Sequence, residues 1–182
     1  MRGIVFTVLL ACSFASAQSD EKEFAMRCGA ALYDKADVLL ASEDGGKTWH
    51  PITESALKKC EECADVATFS TSGNASLLVV KSSAESGDFI TTQSYCYDQH
   101  RRASSAQFYM RNAHGWAIAR SYVRGPRGFV LARESSSDLQ GHHIPRPDDW
   151  DNYADVYEHA PKYLKLEQVP FYGFLKPSGD KH

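Results

Sequence analysis

Residues 95–134, YCYDQHRRASSAQFYMRNAHGWAIARSYVRGPRGFVLARE, decide the fold of this chain. Turn-forming residues at 112–115 and 125–128 divide the stretch into runs whose side chains alternate as they do in β-strands. The runs lie at 106–111, 116–124 and 129–134, and a longer run at 89–97 leads into them. The pattern predicts an antiparallel meander at the centre of the domain.

The same stretch is strongly basic, while the chain that follows it is acidic. Residues 98–133 hold seven arginines, no lysine and one acid, Asp98. Residues 134–182 hold nine acids and five basic residues. Two interpretations stay open: the two segments face each other and cancel, or the arginines form a binding patch.

The first 17 residues have the pattern of a signal peptide. Arg2 precedes an apolar run at 4–11, and Ala15-Ser16-Ala17 is a small-x-small cleavage signal. The run is shorter than the about 20 apolar residues that cross a membrane. The pattern therefore predicts a secreted, extracellular protein without membrane insertion, and we expect a monomer. Residues 18–182 carry a formal charge of −4 and suffice for one domain.

The chain before the central stretch predicts a hairpin followed by a helix. Residues 37–42 and 48–52 flank Asp44-Gly45-Gly46, a turn signal. Thr53 is a good helix N-cap. Apolar residues at helical spacing then continue to about residue 67, namely Leu57, Cys60, Cys63 and Ala67.

Taken together, these segments predict an α+β fold. We expect an antiparallel sheet of about four to six strands packed on one main helix, with an N-terminal hairpin and two disulfides. Residues 77–81 predict a further strand, and the pattern becomes less regular from about residue 135.

Four cysteines remain once Cys12 leaves with the signal peptide: Cys28, Cys60, Cys63 and Cys96. An even number in a secreted chain implies two disulfides with three possible pairings. Since the predicted helix points Cys60 and Cys63 at the core, we expect them to pair with Cys28 and Cys96. A redox pair needs its first cysteine at a helix N-terminus, and a zinc site needs two more ligands, so neither is predicted.

Residues 42–49 have the pattern Ser-x-Asp-x-Gly-x-Thr-Trp. It resembles the Asp-box of sialidase-type repeats, over eight residues only. The resemblance implies a structural hairpin in which Asp44 ties the turn, Gly46 permits the bend and Trp49 packs underneath. It implies no catalytic role. Separately, Asn74-Ala75-Ser76 is a glycosylation sequon and predicts a surface loop.

The order hairpin, helix, antiparallel sheet resembles the secreted T1-type ribonucleases and the ribonuclease-like effectors of plant-pathogenic fungi. Such enzymes need a general base, a general acid and a cation for the phosphate. The candidate acid and base are His100 or His114 with Glu134. The strand at 106–111 carries no acid where the family's catalytic strand has one, which favours a binding domain over an enzyme.

The preferred functional hypothesis is a non-enzymatic host-interaction or virulence effector that binds a host or extracellular protein. The alternative is a secreted ribonuclease, or a ribonuclease-like protein that binds RNA or an acidic glycan. The candidate ligand-binding residues are Arg120, Arg124, Arg127, Trp116 and Tyr122. In a strand, Trp116, Arg120 and Tyr122 share one face, which either lines a groove or joins the core. No metal or cofactor is expected.

Overall fold

A computed structural model describes residues 24, 28, 36–58, 60, 63–157 and 161–175. The predicted signal peptide lies outside these residues. The strands are β1 (Val38–Ser42), β2 (His50–Pro51), β3 (Asp65–Ser72), β4 (Ala75–Ser83), β5 (Phe89–Tyr97), β6 (Ala103–Asn112), β7 (Trp116–Gly125) and β8 (Gly128–Asp138). Short helices accompany them: α1 (Glu54–Leu57), α2 (Ala154–Tyr157) and 3₁₀ turns at Trp150–Tyr153, Leu166–Gln168 and Tyr172–Phe174.

All eight strands form one antiparallel sheet in the order β2-β1-β3-β4-β5-β6-β7-β8. From β3 onwards each strand pairs with the next one in the chain. Alternating burial along β3, for example Asp65, Ala67 and Phe69, gives it a buried and a more exposed side. The architecture is therefore a long meander, with β2 and β8 at the edges.

The predicted α+β fold is wrong. The sheet has eight strands, and α1 ends at Leu57 instead of continuing to residue 67. Part of the predicted helix, residues 59, 61 and 62, lies outside the described residues. Its last residues belong to β3, whose Val66, Thr68 and Thr71 are β-branched and suit a strand. Among the described residues, no helix has the length and hydrophobicity needed to cross a bilayer.

One face of the sheet carries the main hydrophobic core. β7 contributes Trp116, Ile118 and Tyr122, so this side of β7 joins the core and does not line an open groove. The chain after β8 covers the same face with buried side chains, namely Trp150, Tyr153, Leu166, Val169, Phe171 and Leu175. The irregular C-terminal part is thus a lid of packed turns over the sheet.

The opposite face carries a smaller cluster around a disulfide. Leu77, Val79 and Cys96 pack there against Phe24 and Cys28. The Cys28–Cys96 bridge joins this N-terminal segment to β5, with a Cα–Cα distance of 5.5 Å. Each of its two residues is less than a tenth exposed.

Two disulfides are present, as predicted, but the predicted pairing is wrong. Cys60 bonds to Cys63 and not to Cys28 or Cys96. The prediction assumed that both residues lie on one face of a long helix. Because α1 stops at Leu57, the two cysteines lie in the irregular connection to β3, where their Cα atoms can approach to 5.5 Å.

The first turn of the hairpin is organised by Asp44. Its Oδ1 accepts hydrogen bonds from Ser42 Oγ (2.8 Å), Lys47 N (3.0 Å) and Thr48 N (2.8 Å), and its Oδ2 accepts the Thr48 hydroxyl. Gly46 has φ of 78°, a conformation that costs other residues energy. The ring of Trp49 packs on that of Phe171, with 4.5 Å between the ring centroids, and this contact connects the hairpin to the C-terminal turns.

The meander separates its connections into two ends. The β3–β4, β5–β6 and β7–β8 turns lie at one end of the sheet, since alternate strands run in opposite directions. The β4–β5 and β6–β7 turns lie at the other. This division decides which side chains of the central stretch can meet.

Candidate functional site

The two candidate catalytic residues lie at different levels of the sheet. His114 is exposed in the β6–β7 turn. Glu134 pairs with Arg120, in the middle of β7, whereas Trp116 at the start of that strand pairs with Asp138. Four residues of strand span about 13 Å. The structure therefore does not bring His114 and Glu134 together, and His100 lies at the opposite end, in the β5–β6 turn.

Glu134 instead forms an ion pair with Arg120. The Arg120 Nη2 and Nε atoms lie 2.5 and 2.6 Å from the same carboxylate oxygen. The Arg120 side chain is only 13% exposed. Within the strip of seven arginines, this one is thus neutralised inside the domain and is a poor candidate for ligand contact.

The two candidate aromatic residues are buried. Trp116 stacks on Trp150, with 5.5 Å between the ring centroids. The indole N–H of Trp116 donates to Asp149 Oδ1 at 2.8 Å. Tyr122 is 8% exposed and contacts Phe129 at 6.4 Å. Burial raises the pKa of Tyr122, although the charge of Arg120 opposes that rise. Neither ring offers a surface on which a base or sugar could stack.

Arg124 and Arg127 have a different setting, because both are exposed at the β7–β8 turn. The turn is tightly built: a Cβ atom at Gly125 would lie 2.7 Å from Val130 Cγ2. A glycine there lets the two strands close. The turn consequently holds both guanidinium groups at one end of the sheet.

The β5–β6 turn brings two further arginines to the same end. Asp98 Oδ1 accepts the backbone N–H groups of His100 (2.8 Å) and Arg102 (3.0 Å). Arg101 has φ of 59°, which is unusual for a residue other than glycine. Its Nη1 donates to the Tyr172 hydroxyl at 2.5 Å. The turn is therefore held in one shape by its own carboxylate and by the C-terminal segment.

Lys165 completes the group. Its backbone forms an isolated antiparallel β-bridge with Arg102, and the backbone N–H of Ala103 donates to Leu164 O at 2.9 Å. Leu164 in turn reaches the β7–β8 turn, since a Cβ atom at Gly128 would lie 4.0 Å from Leu164 Cδ1. These contacts place the C-terminal segment between the two arginine-bearing turns. We call the resulting surface the arginine end; it consists of Arg101, Arg102, Arg124, Arg127 and Lys165.

The arginine end is rich in unpaired charge. In the part of the chain that the structure describes, none of its five cations forms an ion pair. The nearest acids in sequence are Asp98, which is bound to backbone N–H groups, and Glu167. Such a surface attracts anions and accepts carboxylate, sulfate or phosphate groups through arginine's paired donors.

Three members of the arginine end were missed in the sequence: Arg101, Arg102 and Lys165. The first two belong to the arginine-rich stretch, and a meander with the predicted strands places the 98–102 and 125–128 turns at one end. Arg101 and Arg102 could therefore have been predicted from the sequence. Lys165 was not predictable, because its position depends on how the C-terminal segment crosses the sheet.

Asn74, the predicted glycosylation site, is exposed in the β3–β4 turn. This turn lies at the same end of the sheet as the arginine end, beside the β5–β6 turn. Glycosylation itself stays a prediction.

One group of metal-ligand side chains occurs among the described residues. A carboxylate oxygen of Glu43 and the sulfurs of Cys60 and Cys63 all lie within 4.8 Å of one another. Because the two sulfurs are joined in a disulfide, they are not thiolate ligands in this form.

Comparison with known proteins finds no matching family model, no matching curated protein and no matching solved structure. The resemblances to the Asp-box and to T1-type ribonucleases accordingly stay predictions, and a functional proposal rests on the geometry of the chain itself.

Proposed function

We propose that this chain is a secreted, non-enzymatic binding domain, of the host-interaction or virulence-effector kind, whose arginine end holds an acidic region of an extracellular protein. The observation that carries the proposal is the contrast between Arg120, which is paired with Glu134, and Arg124 and Arg127, which are exposed and unpaired among the described residues. The fold neutralises Arg120 and leaves Arg124 and Arg127 exposed.

The shape of the arginine end supports recognition of a partner by its charge. Its cations come from two turns and from the segment that contacts both turns, so they lie at one end of the sheet. The exposed guanidinium groups of Arg124 and Arg127 lose little on binding, because neither forms an ion pair with another described residue that has to be released. Long-range attraction of this kind raises the association rate and makes binding depend on salt.

An acidic protein surface fits better than RNA as the partner. Proteins that hold single-stranded RNA usually stack its bases on exposed aromatic rings. Trp116 and Tyr122, the two aromatic candidates for ligand binding, are buried. An acidic glycan is the second candidate, since carboxylate and sulfate groups need no stacking platform.

The separation of His114 from Glu134 supports a non-enzymatic role. General acid–base catalysis requires both groups within hydrogen-bond reach of the reacting atoms. A carboxylate held by Arg120 in the middle of β7, four residues beyond Trp116, does not meet that requirement with His114.

The first test measures binding of the secreted chain to immobilised poly-L-glutamate, a probe for acidic protein segments, at several salt concentrations. We expect binding that weakens with salt and that falls at least about tenfold in the double variant Arg124→Ala, Arg127→Ala, which loses two charged contacts. The matched control is Arg111→Ala, Arg133→Ala, which removes two exposed arginines outside the arginine end. Equal loss in both variants contradicts the proposal.

Two further probes separate the alternatives. Heparin binding that depends on Arg124 and Arg127, without poly-L-glutamate binding, favours the glycan candidate. Cleavage of single-stranded RNA at micromolar protein, abolished by His114→Ala or Glu134→Ala, overturns the non-enzymatic proposal. Pull-down from host extracellular fluid with the wild-type chain and the double variant then identifies the partner.

A further inference from the structure

We propose that the Cys60–Cys63 disulfide masks a metal site. Once a dithiol reduces it, the two thiolates and the Glu43 carboxylate hold a soft divalent cation such as Zn²⁺. This site lies at the other end of the sheet from the arginine end and is independent of the proposed binding function.

Strand pairing brings the three ligands together. In the β1–β3 ladder Ser42 lies opposite Asp65, so Glu43 comes next to the chain just before Asp65, where Cys63 lies. Cys60 is anchored close by, because its backbone N–H donates to Leu57 O at 3.1 Å. Glu43 and Cys63 therefore lie at the end of the β1–β3 ladder, and Cys60 follows the end of α1.

The ligand spacing changes when the disulfide opens, because the two sulfurs are bonded to each other in the oxidised form. The three ligand atoms lie within 4.8 Å of one another. Around Zn²⁺, with Zn–S distances of about 2.3 Å, neighbouring ligand atoms are roughly 3.5 Å apart. After reduction, side-chain rotation moves the two sulfurs apart to this distance, and a water molecule can take the fourth position.

A histidine stands beside the carboxylate. His50 Nε2 lies 4.0 Å from Glu43 Oε1, which is beyond hydrogen-bond distance but makes His50 a neighbour of the site. The sequence did not predict a zinc site because such a site needs two ligands besides Cys60 and Cys63. The hairpin supplies one of them, Glu43.

The two disulfides differ in their access to a reductant. Cys28 and Cys96 lie in a hydrophobic cluster and are 5% and 7% exposed. Cys60 and Cys63 are only partly buried and belong to neither hydrophobic cluster. Since exchange requires a thiolate to reach the sulfur, a dithiol attacks Cys60–Cys63 first.

The reaction balances with a dithiol as the named reductant. One thiolate of the dithiol attacks a sulfur of the pair and breaks the Cys60–Cys63 bond, which gives a mixed disulfide. The second thiol of the reductant then attacks the mixed disulfide and displaces the protein sulfur. The reductant leaves as a cyclic disulfide, and two electrons have passed to the protein. Binding of Zn²⁺ then releases the thiol protons to solvent.

The first measurement is a thiol count on the native mature chain after dithiothreitol treatment and its anaerobic removal. We expect two reactive thiols, and none in the Cys60→Ser, Cys63→Ser variant. Zero or four thiols in the wild-type chain overturns the proposal.

The second measurement is Zn²⁺ affinity by competition with a chromogenic chelator, with Co²⁺ as a spectroscopic substitute. We expect one Zn²⁺ per reduced chain and a thiolate-to-cobalt charge-transfer band. Mutation of an outer-sphere partner weakens metal binding at least about tenfold, so loss of a direct ligand in Glu43→Gln should weaken Zn²⁺ binding by more than that. The exposed control Glu54→Gln should leave Zn²⁺ binding unchanged. His50→Ala should fall between them. Equal Zn²⁺ binding by the oxidised chain, by the double serine variant or by Glu43→Gln contradicts the proposal.

Discussion

At the scale of single residues, Asp44 shows how one side chain can shape a turn. Hydrogen bonds from the Thr48 hydroxyl, the Thr48 backbone N–H and the Ser42 hydroxyl hold the pKa of Asp44 well below its usual range. The carboxylate is nevertheless exposed, so these bonds act on the charged form without burying it. The hydrogen bonds of the turn therefore favour the ionised form of Asp44.

Asp44 consequently links the stability of the hairpin to pH. A carboxyl whose pKa is lower in the folded state contributes stability above its unfolded pKa, about 3.9, and loses it as pH falls towards the folded pKa. We expect Asp44→Asn to lower the melting temperature at pH 6 and to lower it less at pH 3. Thermal unfolding at both values checks this, with the exposed loop variant Asp88→Asn as control. A constant difference between wild type and Asp44→Asn would show that the charge is not what the turn requires.

At the scale of elements, the β7–β8 pair combines a charged contact with an irregular register. Arg120 and Glu134 lie opposite each other, and the register shifts between Ser121 and Tyr122. The shift adds one residue to β8, a feature that bends an edge strand and limits further pairing. The ion pair between Arg120 and Glu134 then stabilises this register of β8 against β7.

We expect Glu134→Ala to destabilise the chain by about 1–3 kcal/mol, since it leaves a mostly buried guanidinium without its charged acceptor. Urea unfolding followed by tryptophan fluorescence measures the change. The double variant Arg120→Met, Glu134→Leu should recover part of the loss, because it removes both charges together. A double variant less stable than either single one would contradict this account of the pair.

At the scale of the whole molecule, two different devices secure the two faces of the sheet. The C-terminal turns cover one face by hydrophobic contact, through residues such as Trp150 and Phe171. The Cys28–Cys96 disulfide ties the N-terminal segment to the other face across a sequence separation of 68. Long loops gain most from a crosslink, because closure removes more freedom from the unfolded chain.

The two disulfides should therefore contribute unequally to stability. Loop-closure entropy gives about 4 kcal/mol for Cys28–Cys96 and about 2 kcal/mol for Cys60–Cys63, whose separation is 3. We expect Cys28→Ala, Cys96→Ala to lower the free energy of unfolding by about twice as much as Cys60→Ala, Cys63→Ala. Equal losses in guanidinium unfolding would mean that the local bridge has a structural role beyond closing its loop.

Much of the central meander was predictable because its signals are local. Alternation along residues 116–124 and the glycines at the 125–128 turn depend only on neighbouring side chains, and β5 begins and ends where its pattern does. The helix prediction failed for the same reason. Two cysteines at helical spacing outweighed the β-branched residues 66, 68 and 71, whose partners in β1 and β4 lie elsewhere in the chain.

By itself, the sequence determined the strands of residues 89–134 and the candidate arginines. The tertiary structure alone decided which charges meet. Strand register pairs Arg120 with Glu134, the meander gathers Arg101 and Arg124 at one end, and the β1–β3 ladder brings Glu43 to Cys63. The physical reason is that alternation and turn chemistry act between neighbours, whereas ion pairs, disulfides and binding surfaces join residues that only the folded sheet places side by side.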